Sequence, residues 1–260
     1  MVEFLSQYNP ITVGLIASLI AGCATGIGAL PIFFTRTVPP KLHDGMLGFA
    51  AGVMLAATAF SLVVPAIEYG GGGLVGALIA AFGLILGGVF LDTVDRYIPH
   101  LHFIAGAEGG ADDSALAKIW LFVLAIAIHN FPEGLAVGVG IGSGDLSNGI
   151  TLAIGIGLQN IPEGLAVALA LISQRYSVGK AFWVALLTGL VEPVGGVLGV
   201  VGVTVAQPIL PYALAFAGGA MLFVISDEII PETHRRGNHR VATFMVLIGF
   251  VIMMVLDTTL

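Results

Sequence analysis

The amino-acid sequence predicts an all-α integral membrane protein with eight transmembrane helices, and three observations carry that prediction. Of 260 residues, 57% are hydrophobic and only 10% charged, where an ordinary soluble domain carries about 25% charged residues. Mean hydropathy is +1.03. Apolar runs long enough to cross a bilayer, which takes about 20 residues each, recur along the whole chain, at 9–34, 43–67, 73–95, 118–142, 148–172, 179–205, 209–231 and 241–258. The basic residues partition among the connections. Arg36 and Lys41, Arg96 and Lys118, Arg175 and Lys180, and Arg235, Arg236 and Arg240 fall in connections 1–2, 3–4, 5–6 and 7–8. Lys and Arg favour the cytoplasmic side. Eight spans with both termini extracytoplasmic put every one of them inside, and removing one span would scramble the pattern. The whole chain, 1–260, reads as a single transmembrane domain.

Each element has its own justification. The segment before the first span, "MVEFLSQYNP", carries Glu3 and no Lys or Arg. That is the wrong charge for a cleaved signal peptide, so the first run is expected to be retained. Cys23 lies inside it, and one cysteine excludes an internal disulfide. The second run ends at Glu68 and the third at Asp92 and Asp95. The longest polar segment follows, about Arg96 to Lys118. The charge-free stretch from Pro193 to Ser226 is too long for one span, and the prolines of "AQPILP" (206–211) divide it. Small-residue motifs at Gly22 and Gly26, Gly83 and Gly87, and Gly195 and Gly199 permit close helix packing. "GCATGIG" opens no soluble strand–turn–helix unit, so helix packing is preferred to a nucleotide loop.

Spans four and five carry the same string twice, "HNFPEGLAV" from His129 and "QNIPEGLAV" from Gln159. Span six adds "VEPVGG" around Glu192. With a rise of about 1.5 Å per residue, Glu133 lies roughly 22 Å from the cytoplasmic edge at Lys118. Glu163 and Glu192 lie roughly 18 Å from Arg175 and Lys180, His129 roughly 16 Å deep and Asn160 roughly 22 Å. In a hydrocarbon core about 30 Å thick, three helices running in alternating directions bring these groups to one midplane layer. His129 and Glu133 are spaced i, i+4, and Asn130 and Glu133 i, i+3; Gln159, Asn160 and Glu163 repeat both spacings, so each set shares a helix face. Pro132 and Pro162 free the carbonyls of Ile128 and Leu158, which is tolerated at membrane depth where the backbone faces protein or a wet cavity.

Each carboxylate at that depth costs about 2.5–3.5 kcal/mol on the insertion scale, and no Lys or Arg lies level with them. The compensating cation must come from outside, as protons or metal. Imidazole, carboxylate and amide together suit Zn²⁺, Fe²⁺ or Mn²⁺ and are too nitrogen-rich for a dedicated Ca²⁺ or Mg²⁺ cage. The alternative is a structural cluster of protonated carboxyls bonded to the amides.

The segments "MLGFAAGVMLAATAFSLVVP", "HNFPEGLAVGVG", "QNIPEGLAVALAL", "GLVEPVGG" and "DEIIPETHRRG" resemble the ZIP (Zrt/Irt-like) family of divalent metal transporters, in particular its bacterial, GufA-like branch. The resemblance covers nearly the whole chain. It implies an eight-span fold, often a homodimer, in the bacterial inner membrane, with a two-metal centre between spans four and five. By match, His129, Glu133, Gln159 and Glu163 with Met54 form one site. Asn130, Glu133, Asn160, Glu163 and Glu192 form the other. Many relatives have His where this chain has Gln159, and close bacterial relatives can have Asp where it has Asn160. The transported substrate would be Zn²⁺ or another divalent transition metal, Fe²⁺, Mn²⁺ or Cd²⁺ included. No organic cofactor and no nucleic-acid partner are expected.

Further acidic and imidazole groups outline a path. Glu68 and Ser61 mark an entrance on span two. Asp92, Asp95, His100, His102, Asp227 and Glu228 mark an exit towards the cytoplasm. Two other classes compete with metal transport. An intramembrane metallohydrolase would use metal-activated water, but the zinc-protease motif H-E-x-x-H is absent. A proton-coupled carrier of an organic solute would use the carboxylates as relays, but a midplane arginine for an organic anion is missing.

Overall fold

The computed structural model describes residues 2–97, 113–235 and 237–259. Among them every regular element is helical. The helices are α1 (Val2–Leu5), α2 (Pro10–Ala29), α3 (Pro40–Ala56), α4 (Val64–Tyr69), α5 (Gly73–Tyr97), α6 (Asp113–Gly142), α7 (Leu146–Ser173), α8 (Val178–Gly189), α9 (Glu192–Val205), α10 (Leu210–Val224), α11 (Ile230–His234) and α12 (His239–Thr259). Among the described residues, seven helical segments are long and apolar enough to cross a membrane: Pro10–Phe33, Pro40–Tyr69, Gly73–Val94, Leu146–Ser173, Val178–Val205, Gln207–His234 and His239–Thr259. α6, with 30 residues, lies between the third and fourth of these in the chain.

Three interruptions have chemical causes. The run 179–205, read from sequence as one span, corresponds to one spanning segment, Val178–Val205, that is broken inside into two helices: α8 ends at Gly189 and α9 begins at Glu192. Pro193, second in α9, has no N–H to offer the preceding turn and disfavours helical backbone at Glu192. Glu192 therefore stands at a buried helix N-terminus, where the helix dipole favours its negative charge. The other interruptions are π-helical turns, Ala57–Val63 between α3 and α4 and Ile225–Ile229 between α10 and α11. Each is preceded by nearly the same string, "FAAGVML" from Phe49 and "FAGGAML" from Phe216, and followed by a proline, Pro65 and Pro231. Pro65 cannot donate to Ser61, and the freed carbonyl accepts instead from Asn148 Nδ2 of α7 at 3.1 Å. Pro132 and Pro162, by contrast, sit inside unbroken helices.

The helices sort into two bundles. α2 packs with α6, α7, α8 and α9; α3, α4 and α5 pack with α10, α11 and α12. Glycine lets backbones touch inside each bundle. A Cβ on Gly134 or Gly138 of α6 would strike the carbonyl oxygen of Glu192 or Gly196. One on Gly164 of α7 would strike Thr25 O, and one on Gly52 or Gly87 would strike Val246 O or Phe216 O. Without a hydrophobic driving force between helices in lipid, such close contact supplies the packing energy. α3 and α10 cross to the first bundle through α7 and α6 respectively. The outward faces of α5 and α12 are apolar and exposed, with Leu74, Phe82, Ile85, Phe244 and Leu247 projecting from them.

Candidate metal centre

α6 supplies His129, Asn130 and Glu133; α7 supplies Gln159, Asn160 and Glu163; the first residue of α9 is Glu192. All seven side chains are buried, none more than 5% exposed. Their placement follows from the glycines beside them. Gly134, next to Glu133, rests on the Glu192 backbone, and Gly164, next to Glu163, rests on Thr25 of α2. Each Pro–Glu–Gly string therefore delivers a carboxylate where two backbones meet.

The hydrogen bonds run from amide to carboxylate. Gln159 Nε2 donates to Glu133 Oε1. Asn160 Nδ2 donates to Glu192 Oε1 at 2.5 Å and to the carbonyl of Ala21, on α2, at 2.8 Å. These bonds fix both amides with their NH₂ groups turned to carboxylates and their oxygens free. Glu133 Oε2, Glu163 Oε1, Glu192 Oε2, Gln159 Oε1, Asn160 Oδ1 and both polar atoms of Asn130 are buried and have no hydrogen-bond partner. Leaving a buried polar group unsatisfied costs about 1–3 kcal/mol, more where it is charged. A divalent cation would relieve several of these at once, so this donor set fits a metal cargo. Among the described residues no group of three or more His, Cys, Asp and Glu side chains is gathered as a ready chelate. The amides of Gln159 and Asn160 each occupy one oxygen of a carboxylate, on Glu133 and Glu192 respectively.

The expected path residues divide. Glu228, on the π turn of the second bundle, lies with Oε1 3.0 Å from His129 Nε2. It thus belongs beside the cluster and joins the two bundles there. Asp227, its neighbour, is exposed. Ser61 is fully buried and donates to Asp257 Oδ1 of α12 at 2.6 Å. Glu68 is exposed and Asp92 half-buried. Met54 is 1% exposed in α3, which packs on α7. His100, His102 and the side chain of Asp95 lie outside the described residues.

Several polar contacts had no signal in the sequence reading. The Ala21 carbonyl is a backbone group, invisible to residue type. Asp257, the acceptor from Ser61, lies in no motif that singles it out. Asp44 is fully buried and accepts from Asn238 Nδ2 at 2.9 Å, tying the start of α3 to the start of α12. Counting its depth from Lys41 would have marked it only as a group near the membrane edge.

A sequence model described as ZIP Zinc transporter matches residues 104–257. The chain belongs to the ZIP family. It lies in the GufA-like branch: it is 48% identical over 251 residues to the zinc transporter GufA of Myxococcus xanthus, covering 95% of this chain and 98% of that protein. It is 42% identical over 269 residues to the zinc transporter ZIPB of Bordetella bronchiseptica, covering 100% of this chain and 86% of that protein. To the zinc transporter ZIP11 of Homo sapiens it is 35% identical over 340 residues, covering 98% of this chain and 99% of that protein. ZIP proteins are transporters rather than enzymes, and this one is an integral membrane protein with apolar helices of spanning length. The string shared by α6 and α7 lies within the region matched to the family.

Proposed function

We propose that this ZIP protein carries Zn²⁺ and similar transition-metal ions, Fe²⁺, Mn²⁺ and Cd²⁺ among them, into the cytoplasm across a bacterial inner membrane. The ions pass through a binuclear midplane site between the fourth and fifth of eight spans. Both termini face outward and residues 1–260 form one transport domain, assembled as a homodimer. His129, Glu133, Gln159 and Glu163 with Met54 hold one ion; Asn130, Glu133, Asn160, Glu163 and Glu192 hold the other. One observation carries the reading: three carboxylates from three helices are buried, each with an oxygen that has no hydrogen-bond partner. The family relationship supplies the direction of the argument, and relatives bearing the name zinc transporter supply the metal.

The test is uptake by purified protein in liposomes, with several metals and an imposed pH gradient. Zn²⁺ should accumulate in a protein-dependent, saturable way, and added peptide should remain uncleaved. Metal-independent uptake of an organic solute with no Zn²⁺ flux would overturn the proposal in favour of a proton-coupled solute carrier.

A further inference from the structure

Side-chain hydroxyls in helices ordinarily bond back to the carbonyl three or four residues earlier, as Thr188 does to Ala185 O and Thr233 to Ile230 O, each at 2.7 Å. Ser18 does so to Gly14 O at 2.7 Å, Thr204 to Val200 O at 2.8 Å, Thr243 to His239 O at 2.8 Å and Thr258 to Met254 O at 2.9 Å. Two buried threonine hydroxyls have no partner, Thr25 and Thr58. Thr58 stands in the π turn Ala57–Val63, where the carbonyl four residues back is out of register. Thr25 stands in regular α-helix and is 1% exposed, so register does not explain it.

The carbonyl that Thr25 would use is that of Ala21. In α-helix Ala21 O already accepts from the Thr25 N–H. Its second lone pair is taken by Asn160 Nδ2, across from α7, at 2.8 Å. A carbonyl oxygen has two lone pairs, so the Ala21 carbonyl is closed to the Thr25 hydroxyl, and the hydroxyl is left without a partner. The helix is closely packed around Thr25. The Thr25 backbone oxygen rests on Gly164, and a Cβ on Gly189 would lie 2.5 Å from Thr25 Oγ1. The same Asn160 amide donates to Glu192 at 2.5 Å.

We infer that the Thr25 hydroxyl and the Asn160 amide compete for the Ala21 carbonyl, which makes Thr25 a positioning residue for Asn160 and Glu192. This rests on the metal-transport reading above. When a cargo ion draws Glu192 and the Asn160 oxygen towards itself, the Asn160 NH₂ leaves Ala21 O, and the Thr25 hydroxyl takes its place. The buried hydroxyl is unsatisfied with Asn160 on Ala21 and satisfied once Asn160 has turned. Thr25 therefore favours the turned arrangement, and it does so without touching the ion.

The experiment is calorimetric Zn²⁺ titration of the purified protein, with thermal unfolding measured in parallel, on wild type, Thr25→Val, Thr25→Ser, Asn160→Ala and Thr25→Val/Asn160→Ala. Thr25→Val should weaken Zn²⁺ binding at the site assigned to Asn160 and Glu192 about tenfold, while its unfolding temperature stays level or rises because an unsatisfied hydroxyl has gone. Thr25→Ser, which keeps the hydroxyl, should bind as wild type does. In the Asn160→Ala background, where no competitor remains, Thr25→Val should add no further loss, the signature of coupling in a double-mutant cycle. Thr25→Val binding like wild type would overturn the inference. So would a loss in Thr25→Ser equal to that in Thr25→Val, or a tenfold loss persisting without Asn160. Wild type that binds no Zn²⁺ at all would sink the metal-transport reading itself, a result separable from the other three.

Discussion

Glu133 and Glu163 are the residues on which the proposed chemistry rests most directly. Glu133 is held at one oxygen by Gln159 and open at the other, and Glu163 is open at Oε1. Each is assigned to both ions, so Glu133→Ala or Glu163→Ala should reduce Zn²⁺ uptake by ~100-fold or more, beyond what loss of a supporting group costs, with the folded protein still in the membrane. Uptake assays beside a chromatographic check of folding decide it, and near-normal flux in either variant would reject the shared-ligand arrangement. Asn160 poses a subtler question. Two divalent ions bring +4 against −3 from Glu133, Glu163 and Glu192, and low dielectric penalises the remainder. Asn160→Asp would add the missing charge but would also replace the donor to Glu192 with a second carboxylate 2.5 Å away. We expect Asn160→Asp to unfold at lower temperature than wild type in chelator and to gain more stability from added Zn²⁺. Melting curves with and without metal test this. Equal metal-induced shifts in the two proteins would show that charge is not limiting.

The Pro–Glu–Gly repeat is a packing device as much as a ligand source. Gly134 and Gly164 permit α6 and α7 to lie on the backbones of α9 and α2, and those contacts put three carboxylates within one buried layer. A methyl group at either position meets backbone, which cannot swing aside. Gly134→Ala and Gly164→Ala should each destabilise by about 1–3 kcal/mol or more and lose transport with it. Gly179, in the first turn of α8, has nothing within 4 Å of an added Cβ. Gly179→Ala should be neutral or stabilise by up to about 1 kcal/mol. Unfolding of the three variants in detergent measures both effects. Similar melting temperatures for Gly164→Ala and Gly179→Ala would contradict the packing described. The π turns serve a parallel purpose: one carries Glu228 to His129, and the other, with Pro65, leaves the Ser61 carbonyl for Asn148.

Among the described residues, His129 with Glu228 and Asn148 with the Ser61 carbonyl form polar contacts that bridge the two bundles. A midplane site needs alternating access, commonly by moving one bundle against the other. With α6 and α7 in one bundle and Ser61 in the other, a disulfide between Ser61→Cys and Asn148→Cys should stop flux and spare Zn²⁺ binding. Reduction should restore transport, which separates the lock from loss of the serine. Full transport with the bond formed would favour local side-chain gating. Orientation has its own test. In a background with Cys23 replaced by Ser, cysteines near Arg36, Arg96, Arg175 and Arg235 should resist an impermeant thiol reagent added outside cells. Cysteines near Gly71 and Ser147 should react. Labelling of the basic connections from outside would reverse the proposed topology.

Composition and the distribution of charge determined, by themselves, that this is a helical membrane protein, because lipid leaves a backbone no other partner than its own helix. The repeated strings at His129 and Gln159 likewise marked the residues that turn out to be buried together, since helical spacing and depth follow from counting. What counting could not reach was contact between distant segments. The break at Leu190–Val191 inside the sixth span was not visible, because hydropathy does not register a missing N–H. Glu228 was read as a group further along an exit, since a π turn shifts where a side chain points without changing composition. The Asn160 bond to Ala21 joins residues 139 apart through a backbone oxygen that every residue carries. Only tertiary structure decides which carbonyl lies opposite which amide, because that choice is made by the close approach of glycine-lined helices rather than by any side chain's own chemistry.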